Sequence, residues 1–183
     1  MKNLLKRILN RIRGEQSLER LIKRGLVIGE NYFIQDGVYI DPSHCWHIKI
    51  GNNVTIATKV QILAHDASTK FFLGYTRVSN VTIGNNVFIG VGTIVLPGVT
   101  IGNNVVIGVG SVVSRDIPDN SVAVGNPARV VKSLDDYLNR EKGRMKDNNV
   151  FGEEYTLRNP QFGEVDRLKM YKAVEEEGWL YVK

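Results

Sequence analysis

Val81-Thr82-Ile83-Gly84-Asn85-Asn86-Val87-Phe88-Ile89-Gly90-Val91-Gly92-Thr93-Ile94-Val95-Leu96-Pro97-Gly98-Val99-Thr100-Ile101-Gly102 places an aliphatic side chain at every sixth position. The beat runs on through Ile107 and Val113, and shorter stretches keep it at Ile50, Ile56 and Ile62 and at Ile28, Ile34 and Ile40. Helical faces repeat at about 3.6 residues and strand faces at about 2, so neither produces this period. A six-residue period belongs to a parallel β-helix of short strands, each forming one side of a coil. Three hexads make a triangular turn of about 18 residues, with turns stacked at about the strand spacing of 4.8 Å. Gly90, Val91 and Gly92 then lie beneath Gly108, Val109 and Gly110. The pairs Asn52-Asn53, Asn85-Asn86 and Asn103-Asn104 fall at corners, where asparagine tolerates left-handed backbone.

The fold class expected is therefore all-β, a single-stranded parallel β-helix over residues 26–132 with short helical additions at both ends. Leu4, Leu5, Ile8, Leu9 and Ile12 form a helical stripe within a basic segment, residues 1–25, that carries a net charge of +6. That segment reads either as a helix packing on the coil or a neighbouring subunit, or as a weak contact with a membrane surface. Residues 133–147 and about 164–177 read as helices of a C-terminal tail, 133–183, whose aromatic residues imply packing.

Composition narrows the function classes. Outside residues 1–25 the 183-residue chain is close to neutral, which argues against a nucleic-acid grip. One cysteine, Cys45, excludes an internal disulfide framework, and no run of about 18 apolar residues is present. With no cleavable signal pattern, a cytoplasmic protein is expected.

The beat breaks twice. From Ile40 to Ile50 is ten residues, so Asp41-Pro42-Ser43-His44-Cys45-Trp46-His47 bulges or resets the register. From Ile62 to Ile83 is 21, which reads as three more than a full turn, with the excess in a projecting loop over Asp66–Thr76. Loops that leave a rigid scaffold are where function concentrates.

The run from Val81 to Gly90, then Leu96-Pro97-Gly98-Val99-Thr100-Ile101-Gly102-Asn103-Asn104, Gly108-Val109-Gly110-Ser111-Val112-Val113 and the exit Gly125-Asn126-Pro127-Ala128-Arg129-Val130, resembles the hexapeptide-repeat acyltransferases. The likeness spans about residues 26–132 and is nearest the maltose, galactoside, xenobiotic and polysaccharide O-acetyltransferases. It implies a left-handed coil, a homotrimer, and acetyl-CoA as co-substrate in the groove between neighbouring coils. His65 matches the family histidine that takes the proton of an acceptor hydroxyl. Imidazole suits that task, since its ordinary pKa of about 6.5 lies near neutrality and an alcohol is a poor nucleophile until deprotonated. Relatives often carry His-Pro where this chain has His65-Asp66, and Asp66 is read as a loop-orienting or acceptor-binding residue.

The resemblance also implies Phe88 as an aromatic wall opposite the base, and Gly90, Val91 and Val109 along the pantetheine arm, with the Val91 amide as oxyanion donor. Ser114, Arg115, Arg129 and Lys132 match positions that meet the adenine and phosphates of coenzyme A. Asp41 and His44 are candidates to bond sugar hydroxyls and Trp46 to stack on a sugar face; a plain turn at Asp41-Pro42-Ser43 is the other reading. A zinc centre of three convergent histidines is not expected, because His44 and His47 precede His65 by about twenty residues and no histidine follows it. The expected activity is acetylation of a sugar hydroxyl in surface-polysaccharide synthesis. A xenobiotic acetyltransferase, an amino-sugar N-acetyltransferase and a non-catalytic trimeric scaffold are the alternatives.

Overall fold

A computed structural model describes residues 17–183; the stripe from Leu4 to Ile12 lies outside the described residues. A short helix, α1 (Leu18–Lys23), leads into the coil and buries Leu21. The chain divides into two compact units, one ending at Leu134 and one running from Asp135 to Lys183.

In the first unit each turn adds one short strand to each of three sheets, and neighbouring turns pair in parallel. The hexad aliphatics stack in three columns. Ile28, Ile50, Ile83 and Ile101 line the first face. Ile34, Ile56, Ile89 and Ile107 line the second, and Ile40, Ile62, Val95 and Val113 the third. From Ile48 through Val113 these side chains are almost wholly buried. Fully burying one such side chain stabilises by roughly 1.5–3 kcal/mol, so the columns form the core.

The corner between first and second faces shows why Gly-Asn-Asn recurs. Asn53, Asn86 and Asn104 adopt left-handed backbone, with φ of 55°, 55° and 56°. The preceding asparagines do different work. The Asn85 side-chain oxygen accepts the Asn52 N–H at 2.8 Å, and that of Asn103 accepts the Asn85 N–H at 2.9 Å. Each turn thus caps backbone donors of the turn before it. Glycine is needed there for room: a Cβ on Gly84 would sit 2.6 Å from the Gly102 carbonyl oxygen.

The two interruptions differ in size. Ile40 pairs with Ile62, 22 positions on, and Ile62 with Val95, 33 positions on, where Phe88 to Val106 spans an uninterrupted 18. The first insertion is four residues and folds as a single 3₁₀ turn, Cys45–His47. The second is fifteen, not three. Ile62 and Ile83 lie on adjacent faces, so only six residues separated them in the uninterrupted repeat. This insertion is a hairpin, His65–Asp66 against Arg77–Val78, whose tip carries a short helix, α2 (Lys70–Leu73).

In the second unit α3 (Leu134–Arg144) and α4 (Glu164–Glu177) flank a two-stranded pairing of Val150–Phe151 with Tyr181–Val182. Phe151 is buried and meets Tyr155 edge-on, ring centroids 4.7 Å apart. The expected packing of the aromatic tail holds for Phe151 and, in part, Tyr155, whereas Tyr171 and Trp179 stay 64% exposed.

Two glycines give opposite expectations. Gly84→Ala destabilises, because the added methyl meets backbone that cannot move without shifting a whole turn. Gly143→Ala, in open space on α3, is neutral or stabilises by up to about 1 kcal/mol. Urea denaturation of both variants checks the pair; equal effects would refute the steric reading.

Candidate active site

Both insertions open at the corner between the third and first faces, on successive turns, and this brings Asp41 against His65. The Asp41 side chain is 0% exposed. One carboxylate oxygen accepts the backbone N–H groups of Ser43 (3.0 Å) and His44 (3.3 Å). The other accepts the Ala64 N–H at 3.1 Å and makes a short contact with His65 Nδ1. Burial by itself would raise the Asp41 pKa; the hydrogen bonds from His65, Ala64 and Ser43 outweigh it and hold the carboxyl below its ordinary value. An ionised carboxylate only accepts, so His65 Nδ1 is the protonated nitrogen and Nε2 keeps the lone pair. The His65 side chain remains 28% exposed, which leaves the imidazole a solvent-facing edge.

This placement corrects the reading of Asp41. It cannot bond a sugar hydroxyl, because its oxygens are buried and taken by four protein groups; it fixes the orientation of the His65 ring. Asp66 also has another task. Its carboxylate is bound by the Arg77 guanidinium and accepts the Ser68 N–H at 2.8 Å, which depresses its pKa strongly. It braces the hairpin base.

His44 and Trp46 stand beside the pair. The His44 ring centroid lies 5.0 Å from that of His65 and 5.5 Å from that of Trp46, and Trp46 is half exposed. The three rings form a shelf leading away from the imidazole. Asp41, His44 and His65 each offer a donor atom within 4.8 Å of the others, a set able to hold a metal ion. Histidine spacing could not reveal it, since its third member is a carboxylate and the bulge closes the distance. Tyr39 was also absent from the sequence-level candidates. Its phenol pKa is raised by burial and then by the charge of Asp41, which places it in the field of the same carboxylate.

The remaining candidates fall elsewhere on the coil. Phe88, 45% exposed, sits on the second face in register with Thr55 and Val106. Within one chain it is on a different face from the strand that leads to His65. Gly90, Val91 and Val109 line the corner between second and third faces, with the Gly110 N–H donating to the Val91 carbonyl at 2.8 Å. Ser114 and Arg115 are exposed at the His65 corner, further up the coil. Arg129 and Lys132 belong to an antiparallel strand that closes the second sheet against Ser121–Val124.

Comparison with known proteins agrees with this architecture. Residues 80–115 match the family model described as bacterial transferase hexapeptide (six repeats). Protein CapG of Staphylococcus aureus is 42% identical over 142 residues, covering 75% of this chain and 81% of its own length. The chain belongs to the hexapeptide-repeat transferase family. Galactoside O-acetyltransferase of Lactococcus lactis is 38% identical over 147 residues, covering 67% of this chain and 70% of the relative. A solved maltose O-acetyltransferase from Clostridium difficile superposes with a TM-score of 0.51 at 38% identity, over 62% of this chain and 72% of that one. A Vibrio cholerae hexapeptide-repeat acetyltransferase, solved in complex with acetyl coenzyme A, gives 0.53 at 31% identity, over 58% and 59%. These hexapeptide-repeat neighbours imply that the coil is left-handed, the exception to the usual right-handed crossover. The chain is an acetyltransferase of this family.

Asp41→Asn removes the charged acceptor and leaves the His65 tautomer unfixed. Acetyl transfer is expected to fall roughly 10²–10⁴-fold, and stability at pH 7 by about 1–3 kcal/mol. The folded carboxyl titrates below its unfolded value of about 3.9. Its stabilising contribution is therefore complete above that value and lost as pH falls through the folded pKa. Acid denaturation of wild type should show this loss and Asp41→Asn should not; parallel acid limbs would refute it.

Proposed function

We propose that this chain transfers the acetyl group of acetyl-CoA to a sugar hydroxyl, in surface-polysaccharide synthesis in the cytoplasm. The observation that carries the reading is the buried Asp41 carboxylate behind a His65 imidazole that still faces solvent. His65 Nε2 takes the acceptor's hydroxyl proton as the oxygen attacks the thioester carbonyl carbon. Collapse of the tetrahedral adduct breaks the carbon–sulfur bond, and the imidazolium returns its proton to the departing coenzyme A thiolate. Ionised Asp41 stabilises the imidazolium between those steps. The Val91 N–H is the assigned donor to the developing oxyanion.

Trp46, half exposed at the end of the shelf, offers an apolar face for a sugar ring, and His44 lies between it and the base. The galactoside and maltose acetyltransferases among the relatives support a sugar acceptor. Coenzyme A is assigned to the track Gly90, Val91 and Val109, with Ser114, Arg115, Arg129 and Lys132 toward its adenine and phosphates.

A homotrimer completes the site. Rotation about an axis parallel to the coil keeps every residue at its own height, and in the proposed assembly the second face of one copy is set against the His65 corner of another. The hairpin tip presents Phe71, Phe72, Leu73 and Tyr75 at 68–91% exposure, and the second face presents Phe33 at 59% and Phe88 at 45%. These surfaces supply apolar area for the contact, and they bring Phe88 of one copy to the site of the next.

The test is incubation with acetyl-CoA and a panel of sugars, reading product mass and thiol release. An acetylated sugar is expected, with its rate lowered about 10²–10⁴-fold in His65→Ala. Undiminished turnover in that variant would remove His65 as the base. Failure of the chain to bind coenzyme A would remove the transferase reading.

A further inference from the structure

His44 has a feature that acetyl transfer does not use. Its Nδ1 is shut off from solvent and, among the described residues, is the buried side-chain nitrogen or oxygen that has no hydrogen-bond partner. Burying a polar atom unpaired costs about 1–3 kcal/mol. Such an atom in a native structure calls for an ion, a water or a functional reason. Beside it stand the Asp41 carboxylate and the His65 imidazole, with one donor atom from each of the three within a 4.8 Å span.

Two imidazoles and one carboxylate are a donor set that suits Zn²⁺, whose nitrogen and oxygen bonds are about 2.0–2.2 Å long. Two ligands bound at such lengths around a tetrahedral ion lie about 3.3–3.6 Å apart. A 4.8 Å span closes onto a metal once side chains rotate and the ion replaces one of the hydrogen bonds that Asp41 accepts. Three protein ligands also leave a fourth position open, which fits the exposed edge of His65. The carboxyl of Asp41 is held below its ordinary value, and of the basic side chains near this corner Arg77 is engaged by Asp66 and Arg24 donates to the Pro42 carbonyl at 3.3 Å.

We propose that Asp41, His44 and His65 form a zinc-binding site whose occupation switches the transferase off. The inhibitory half of this proposal rests on His65 acting as the base. A neutral imidazole has a single free lone pair. Once a metal takes it, at either ring nitrogen, no site remains for the acceptor's proton. Binding displaces any proton held at that position to solvent, so affinity rises with pH. Zinc and the deprotonating acceptor hydroxyl therefore exclude each other, while the coenzyme A track along Gly90 and Val109 is untouched. The ion here is a reversible inhibitor that reads free zinc, distinct from a resident cofactor.

The experiment uses the full chain after chelator treatment, titrated with zinc chloride in a calorimeter. One Zn²⁺ per chain is expected. His44→Ala should weaken binding about tenfold or more. His47→Ala is the control: its Nδ1 bonds Asn80 at 2.7 Å, and it should bind as wild type does. No saturable binding, or equal weakening by the two alanines, would mean an adventitious ion only and would overturn the site. With a sugar acceptor in hand, zinc should raise the acceptor KM and leave acetyl-CoA binding unchanged; bound zinc without inhibition would overturn the switch. Coenzyme A binding measured without zinc separates failure of this inference from failure of the transferase reading.

Discussion

Everything in the first unit depends on the vertical stacking of short parallel strands. A strand of two or three residues has too few hydrogen bonds to persist alone. Here each is held from above and below, and its single inward aliphatic continues a column of like side chains. The corners obey the same rule, because the Asn85 and Asn103 side chains cap backbone donors of the turn beneath them. A residue in such a coil is fixed in height by its neighbours in the column. It follows that a chemical group placed on one turn has a known distance to the next.

The site exploits that rigidity by breaking it. Two insertions open at one corner on consecutive turns. The shorter brings its leading residue, Asp41, under Ala64 and His65, and the longer carries the hairpin that leaves His65 at its root. A buried carboxylate would be costly alone. Asp41 is tolerable because four protein groups donate to it, three of them backbone N–H groups. The carboxylate that orients the His65 imidazole is thus also a structural tie between two turns.

How far the sequence was legible varied by element. The hexad aliphatics were readable because side-chain periodicity is local, and within each uninterrupted run they take successive faces of the coil. The helix near 133–147 was legible in Leu134, Tyr137 and Leu138 with acidic residues in the first turn, and a second was expected at about 164–177; the structure has helices at Leu134–Arg144 and Glu164–Glu177. The length of the second insertion was not: counting from Ile62 to Ile83 treats them as stacked, whereas they occupy adjacent faces. Asp41 was noticed as polar and near the site, but its role was misassigned. Distinguishing a sugar ligand from a buried partner of His65 requires knowing which way the carboxyl points and what donates to it.

By itself the sequence determined the coil, its three-sided turn and the two places where the repeat breaks, and the family likeness singled out His65. Those are consequences of residue spacing, and spacing survives without coordinates. Only the tertiary structure decided that Asp41 lies behind His65, that Asp66 belongs to Arg77, that Phe88 sits on another face, and that His44 holds an unpaired buried nitrogen beside both. These are relations between residues on different turns or different faces. No local period encodes them, because they arise only when the stacked turns bring distant parts of the chain to one corner.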